Sequence, residues 1–342
     1  MTGLSTKRKL AYALAAWLLA SGLALLALIV ADLYVHWRTQ DVAGVNISGY
    51  RGPRVPKKGA GEVRVVMVGG STVFGWGLPS HESIPAFLER RLNASASTRF
   101  SVVNLGAPGQ GAYGFLYDLQ DFAYLDYDIA CLYEGYNDVG TSTQRGINNY
   151  LLWRRESPVF RWTGYYPILP VVLREKAQAM LSGGNVNAAP GEVNFRASFG
   201  TRLAAGAMSA VADATKGLSS NSGNLSPVPA DPAVDDECID KWRRYCGSVR
   251  DAVSWALANN KKVIFITQPY VSDAHVEQQA NVAAMLRKRF GSDPRFQYVN
   301  LGRTIDMADR SIVYDGLHLV AAGNDTIAAS LADPVKAAAA LR

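Results

Sequence analysis

The sequence predicts a three-layer α/β/α fold around a five-stranded parallel sheet. Short runs of apolar and β-branched residues recur along the chain, and helix-sized segments separate them. Parallel strands need crossover connections of about this length, and strands covered on both faces are continuously apolar instead of alternating. Glycines and small polar residues directly follow several of these runs. The carboxyl ends of the strands are therefore the expected place for a ligand crevice.

The elements can be assigned in chain order from composition and periodicity. The predicted strands are Val63–Val68, Phe100–Leu105, Tyr127–Tyr133, Lys262–Thr267 and Phe296–Leu301. The predicted helices are His81–Leu92, Ala112–Leu125, Asp240–Asn259 and Ala274–Phe290. In the first of these helices Ile84, Phe87, Leu88 and Leu92 share one face. The alternation of strands and helices predicts a parallel sheet that helices cover on both faces.

Composition excludes one class of partner and permits another. The chain has 342 residues, a hydrophobic content of 49% and a net charge of +6. The basic residues are scattered and form no stripe interleaved with aromatic residues, so we expect no nucleic-acid partner. A pI of about 9.1 suits a protein that lies near an anionic membrane surface.

The N-terminal segment 1–35 predicts a membrane anchor. Lys7, Arg8 and Lys9 precede a charge-free run over residues 10–31, which ends at Asp32. At about 1.5 Å per residue such a helix spans the roughly 30 Å hydrocarbon core of a bilayer. The alternative is a cleaved signal peptide, whose apolar region is usually only about 7 to 15 residues long. We predict an uncleaved single-pass anchor in the cytoplasmic (inner) membrane, with the amino terminus inside and the bulk of the chain on the periplasmic side.

The rest of the chain divides into a linker and a globular domain. Residues 36–60 lack periodicity and contain Gly, Pro and Lys, which is typical of a tether. The domain is expected over 61–342, with an insertion at about 143–238. The part over 140–180 is rich in aromatic and cationic residues and is either a lid at the membrane interface or an insertion packed on the domain. The part over 181–236 is rich in Gly, Asn, Ala and Ser and is predicted as loop or partly disordered.

Five residues come after predicted strands, and two of them lie well beyond the fifth strand. They are Ser71, Gly106, Asn137, Asp315 and His318. Each can be explained separately as part of a turn or a helix cap. Together they would converge on one edge of one sheet.

These residues carry a resemblance to the SGNH, or GDSL-type, hydrolase superfamily. Its four sequence blocks stand here as Gly69-Gly70-Ser71, Asn104-Leu105-Gly106, Gly135-Tyr136-Asn137-Asp138 and Asp315-Gly316-Leu317-His318. The resemblance covers about residues 62–142 and 240–333 and implies the flavodoxin-like SGNH fold. One departure is that Gly70 stands where the family usually has Asp, which removes a side chain that can brace the serine loop. Asp138 is expected to shape its loop and not to react.

The chemistry requires these residue types. A serine hydroxyl becomes a good nucleophile when a base removes its proton, so Ser71 needs His318. Asp315 can fix the imidazole tautomer and stabilise the imidazolium. The resemblance implies that the N–H groups of Ser71 and Gly106 and the side-chain amide of Asn137 form the oxyanion hole.

Three functions agree with this pattern. The first is a serine esterase that cleaves an acyl or acetyl ester of a lipid or envelope glycan through an acyl-enzyme. The second is an O-acetyltransferase that uses the same triad to acylate a sugar hydroxyl of a cell-envelope or exported polysaccharide. The third is an inactive membrane-anchored scaffold that binds glycan. Intact Ser71, Asn137, Asp315 and His318 argue against the third function.

The remaining cysteines and histidines indicate no metal site and no cofactor. Cys238 and Cys246 are too far apart for a bridge within one regular helix, but a helix that begins after Cys238 would permit one. Cys131 is expected to be a small buried hydrophobic residue. His36, His81 and His275 are expected to be surface or structural residues, because no acidic residue stands at a matching spacing.

Overall fold

The computed structural model describes residues 5–94, 98–139, 154–155, 158–183, 197–219 and 237–341. Its strands are β1 Val63–Gly69, β2 Phe100–Gly106, β3 Ile129–Tyr133, β4 Lys262–Thr267 and β5 Phe296–Asn300. Its helices are α1 Thr6–Thr39, α2 Ser71–Phe74, α3 Ile84–Asn93, α4 Phe115–Asp121, α5 Tyr136–Val139, α6 Pro158–Thr163, α7 Leu169–Leu181, α8 Phe199–Ser219, α9 Arg243–Ala258, α10 Asp273–Phe290 and α11 Ala321–Ala340. By compactness the chain divides into one unit of Met1–Arg38 with Tyr166–Ser220 and a second of Thr39–Tyr165 with Asn221–Arg342.

The first unit is helical. Within the described residues, α1 is the helix that is long and apolar enough to cross a membrane, although a signal sequence near the N-terminus would meet the same criterion. Near the end of α1, Asp32 Oδ1 accepts the backbone N–H groups of Ile168 and Leu169 at 2.8 and 2.6 Å. This carboxylate satisfies donors at the start of α7, where a helix has unpaired N–H groups. His36 Nε2 lies 2.8 Å from the carbonyl oxygen of Tyr166.

Two expectations about this unit are wrong. His36 does have an acidic neighbour, since its Nε2 lies 3.4 Å from Asp32 Oδ2 one helical turn away. His36 is buried and structural. Residues 199–219, predicted as loop, form the helix α8. That segment is rich in alanine, which is the best helix former, and this local preference prevails over the low hydrophobicity of the surrounding composition.

The second unit confirms the predicted three-layer fold. The strands form one parallel sheet in the order β2-β1-β3-β4-β5. Alternate residues of a strand face opposite sides of the sheet. One side packs on apolar residues of α3 and α11, which include Ile84, Leu88, Ile327 and Leu331. The opposite side is also covered, because Val66, Leu132, Val263 and Phe265 are fully buried.

Four of the five predicted strands agree with the observed ones to within one residue at each end. The observed third strand begins two residues later than predicted. The predicted helix over 112–125 is broken into α4 with short 3₁₀ turns at Ala112–Gly114 and Ala123–Leu125.

The segment 39–60 lies within the second unit, although the sequence predicts a linker there. Arg51 is 2% exposed, and its guanidinium donates to the carbonyl oxygens of Gln40, Val42, Gly44 and Leu78 at 2.8 to 2.9 Å. Its backbone N–H donates to Asn104 at the end of β2. A single arginine thus satisfies carbonyl groups of an irregular segment that has no ladder of its own. The remaining domain boundaries, with the insertion at about 143–238, stay a prediction.

The cysteines divide into one pair and one buried thiol. Cys238 and Cys246 form a disulfide, with α9 beginning at Arg243, so the chain between them is not one regular helix. Cys131 on β3 is fully buried, and burial raises the pKa of its thiol to about 12.

A buried ion pair lies at the amino end of the sheet. Glu62 Oε1 accepts from the Arg64 guanidinium at 2.8 Å and from the Ser101 hydroxyl at 2.5 Å, and Glu62 Oε2 accepts from the Gly59 N–H at 3.0 Å. Burial alone would raise the pKa of Glu62, but these hydrogen bonds outweigh it and lower the pKa to about 2.

This lowered pKa predicts a pH dependence of stability. The stabilisation by ionised Glu62 is complete above the pKa of the unfolded chain, near 4.5, and is lost as the pH falls through about 2. Between these values the melting temperature of the full-length protein in detergent should fall further than that of Glu62→Gln. Circular dichroism would measure both melting curves. An equal fall in the melting temperatures of the two proteins would contradict the assignment of this pH dependence to Glu62.

Candidate active site

The candidate site lies where the strand order reverses. The chain passes from β1 to β2 on one side of β1 and then crosses to β3 on the other side, so the carboxyl ends of β1 and β3 flank a topological switch point. The strand ends are level, since Gly69 pairs with Gly106 on one side and with Tyr133 on the other. Loops that leave these strands therefore start side by side.

Ser71 is the first residue of α2, directly after β1. The turn needs glycine because the chains approach closely. A Cβ on Gly69 would lie 2.2 Å from the Tyr133 carbonyl oxygen, and one on Gly70 would lie 2.2 Å from Glu134 Oε2. The turn leaves Ser71 partly exposed at the edge of the sheet.

Asp315 and His318 lie on a tight loop before α11. The residues Val313 and Leu319 that flank the loop form an antiparallel bridge, and Gly316 adopts φ +90°. Asp315 Oδ1 accepts the backbone N–H groups of Leu317 and His318 at 3.0 and 2.8 Å. These bonds fix the carboxylate so that its second oxygen lies 2.6 Å from His318 Nδ1.

The loop brings the histidine to the serine. His318 Nε2 lies 2.7 Å from Ser71 Oγ, although the two residues are 247 positions apart. A proton on Nδ1 donates to Asp315, which leaves Nε2 free to accept from the Ser71 hydroxyl. Burial would raise the pKa of Asp315, but hydrogen bonds from the His318 ring and from the two backbone N–H groups lower it below its usual value. Asp315 is therefore the charged partner of this chain of hydrogen bonds.

Asn137 lies on α5, just beyond β3. Its Nδ2 donates to the Gln110 carbonyl oxygen at 3.0 Å, and its backbone N–H donates to Glu134 Oε1 at 3.0 Å. One amide hydrogen thus orients the side chain, and the other can serve a ligand. The amide lies near the serine turn, because a Cβ on Gly70 would be 2.5 Å from Asn137 Nδ2.

Gly106 does not have the role that the resemblance implies. Its N–H donates to Asn104 Oδ1 at 2.9 Å and is therefore not free for an oxyanion. A Cβ on Gly106 would lie 2.3 Å from Phe74 N. Gly106 allows α2 to pack against the end of β2. Of the five predicted residues, the structure brings Ser71, Asp315 and His318 into one hydrogen-bonded chain with Asn137 near the serine turn, and it leaves Gly106 as a packing residue.

Sequence reasoning missed several polar residues that hold the loops. Gln268 follows β4 directly, is fully buried, and joins Thr72 Oγ1 at 2.8 Å to the Tyr136 N–H at 3.0 Å. Asp138 Oδ2 accepts the Ala112 N–H at 2.9 Å and so shapes the loop as expected. Glu134 accepts from both Gly70 and Asn137. The available signal was position, since Glu134 and Gln268 each stand directly after a strand at this edge.

The insertion also contacts this region. Asp118 is fully buried, and its carboxylate accepts from Gln110 Nε2 and forms an ion pair with Arg154. Arg154 stacks on Phe122, against which Phe160 packs edge-on. This contact agrees with an insertion packed on the domain, and residues 140–153, part of the predicted lid, lie outside the described residues.

An aromatic rim lies beside the triad, formed by Tyr314, which stacks on His318, and by Trp76, whose backbone Tyr314 contacts. Leu317 precedes His318 and is also exposed. Trp76, Tyr314 and Leu317 are 47%, 42% and 42% exposed. The Tyr314 hydroxyl donates to the Trp76 carbonyl oxygen at 2.6 Å, and the Tyr314 ring stacks on His318 with centroids 5.8 Å apart. Exposed apolar side chains therefore lie beside the triad.

No protein-family model matches this sequence, and no curated protein matches it. Solved structures similar to it include a GDSL-like lipase from Bacteroides thetaiotaomicron, with 14% identity, coverage of 84% of this chain and 93% of that one, and a TM-score of 0.41. A lipase/acylhydrolase from Enterococcus faecalis has 14% identity, 80% and 95% coverage and a TM-score of 0.41. A family 3 carbohydrate esterase from Clostridium thermocellum has 12% identity, 81% and 98% coverage and a TM-score of 0.40. The likeness is distant.

Proposed function

We propose that this protein is a membrane-anchored serine esterase that cleaves an ester through an acyl-enzyme on Ser71. The observation that carries the proposal is the continuous hydrogen-bonded chain from Asp315 through His318 to Ser71 Oγ, with distances of 2.6 and 2.7 Å. These distances lie within the reach that nucleophile activation requires.

The mechanism follows from the positions of these groups. His318 Nε2 takes the hydroxyl proton as Ser71 Oγ bonds to the ester carbonyl carbon. The negative charge on the carbonyl oxygen is stabilised by the N–H of Ser71 and the free amide hydrogen of Asn137. Collapse of the tetrahedral intermediate breaks the bond to the alcohol, which leaves with the proton from His318. Water then attacks the carbonyl carbon of the acyl-enzyme as His318 takes its proton. The bond from that carbon to Ser71 Oγ breaks, the carboxylic acid leaves, and His318 returns the proton to Ser71.

The proposed location is the cytoplasmic membrane, with the site on the periplasmic side. Helix α1 is of spanning length, and Lys7, Arg8 and Lys9 precede its apolar run. The Cys238–Cys246 disulfide supports an oxidising compartment, because such bonds rarely persist in the cytosol.

The aromatic rim favours an ester carried by a glycan over one carried by a lipid. Exposed Trp and Tyr rings offer flat apolar faces with polar edges, which suit a sugar ring. A sugar hydroxyl could replace water in the second step, so O-acetyl transfer remains the alternative to hydrolysis. A glycan-binding scaffold without turnover is the third possibility.

Removal of the nucleophile tests the reaction. In full-length protein, Ser71→Ala should lower p-nitrophenyl acetate hydrolysis by at least about 10³-fold. His318→Ala should cost a similar factor, and the double variant little more, because the two residues act as one unit. Absorbance of the released p-nitrophenol gives the rates. Equal rates for the wild type and Ser71→Ala would refute the esterase and leave the scaffold.

Removal of one rim residue tests the substrate class. Trp76→Ala should lower kcat/KM for an acetylated oligosaccharide about 10-fold, since one lost stacking contact is worth about 1.4 kcal/mol. The rate on p-nitrophenyl acetate should change less than about 2-fold, because this small ester has no sugar ring to stack on Trp76. Trp162→Ala, at a tryptophan that is 92% exposed and outside the rim, is the control. A larger loss on p-nitrophenyl dodecanoate than on the oligosaccharide would favour a lipid ester instead.

A further inference from the structure

Glu134 is a buried carboxylate that lies directly after β3 and is 1% exposed. Its Oε2 accepts the Gly70 N–H at 2.7 Å. Its Oε1 accepts the N–H groups of Gly135 and Asn137 at 2.9 and 3.0 Å. In the described part of the chain these three backbone groups are the hydrogen-bond donors to its side chain.

The two oxygens hold two different loops. Gly70 immediately precedes the nucleophile Ser71, and Asn137 carries the amide that faces the same turn. Because the oxygens of one carboxylate have a fixed separation, these bonds fix the serine turn relative to the Asn137 loop. Bonds from N–H groups to a carboxylate are stronger than neutral ones.

The fit depends on the absence of a side chain at residue 70. A Cβ there would lie 2.2 Å from Glu134 Oε2, 2.5 Å from Asn137 Nδ2 and 2.9 Å from the Gln110 carbonyl oxygen. Glycine therefore lets the carboxylate reach the backbone of the serine turn.

A buried carboxylate without a cationic hydrogen-bond partner is costly. Burial and the nearby charge of Asp138 raise the pKa of Glu134, and the three N–H groups oppose this shift because they favour the ionised form. An apolar residue would fill this position at lower cost if packing alone were required. Costly buried charges of this kind concentrate at functional sites.

We infer that Glu134 is a positioning residue that fixes the nucleophile and the oxyanion donor relative to each other. The inference rests on the proposed esterase function. Glu134 does not contact the reacting atoms, and it acts through Gly70 and Asn137.

The test uses Glu134→Gln in full-length protein in detergent. The amide has the same size, but it has only one acceptor oxygen and cannot accept from both loops. The kcat for p-nitrophenyl acetate should fall about 100-fold, the usual effect of a displaced catalytic group. KM should change less than about 2-fold, because the lost alignment matters in the transition state.

Glu62→Gln is the matched control, since Glu62 is also buried and hydrogen-bonded but lies at the opposite end of β1. It should lower the melting temperature while leaving kcat within about 2-fold of the wild type. The inference is overturned if Glu134→Gln melts lower than the wild type yet retains kcat within about 3-fold.

A second variant applies if Glu134→Gln does not fold. Gly70→Ala keeps the carboxylate but displaces it from the serine turn, and the same loss of kcat is expected. A folded Gly70→Ala protein with wild-type kcat would overturn the inference. The wild type is compared with Ser71→Ala in the same assay. Equal rates for the wild type and Ser71→Ala would remove the esterase function. A loss in Ser71→Ala without a loss in Glu134→Gln would remove only the positioning role.

Discussion

The hydrogen bond between Ser71 Oγ and His318 Nε2 joins two loops that are 247 residues apart, and the site depends on it. The serine is placed by a glycine turn at the end of β1, whose neighbours are level with it in the sheet. The histidine is placed by a loop that the Val313–Leu319 bridge closes and Asp315 fixes from within. Neither loop is long, so the packed sheet determines how closely the two side chains approach.

Side-chain acceptors at strand ends hold this edge together. Glu134 after β3 and Gln268 after β4 each bond to the α2 turn and to the Asn137 loop. Asp138 adds a bond to the segment after β2. Hydrogen-bond donors that are fixed before the reaction stabilise developing charge without reorganisation, which is the largest single contribution in many enzymes. The burial of Glu134 is costly, but on this proposal it fixes the two loops that carry Ser71 and Asn137.

Local pattern predicted the sheet well because buried parallel strands are continuously apolar, as in β1 and β4. The position of Ser71 followed from the end of β1, whereas Asp315 and His318 lie well beyond β5 and were identified by their sequence block. The role of Gly106 did not follow from the sequence, because its N–H donates to Asn104 Oδ1 and only the structure shows this hydrogen bond. Helix α8 was missed because its alanines were judged together with the glycine, asparagine and serine of the whole segment 181–236. The segment 39–60 was predicted as a linker because it lacks periodicity. Its order depends on hydrogen bonds of Arg51, which no sequence pattern reveals.

The most direct test of the account is covalent capture of the nucleophile. Full-length protein would be treated with an alkyl fluorophosphonate, and the modified peptide would be identified by mass spectrometry. We expect one adduct, on Ser71 Oγ, which forms far more slowly in His318→Ala because the base that activates the hydroxyl is then missing. An unmodified Ser71, or labelling at the same rate in His318→Ala, would contradict the account.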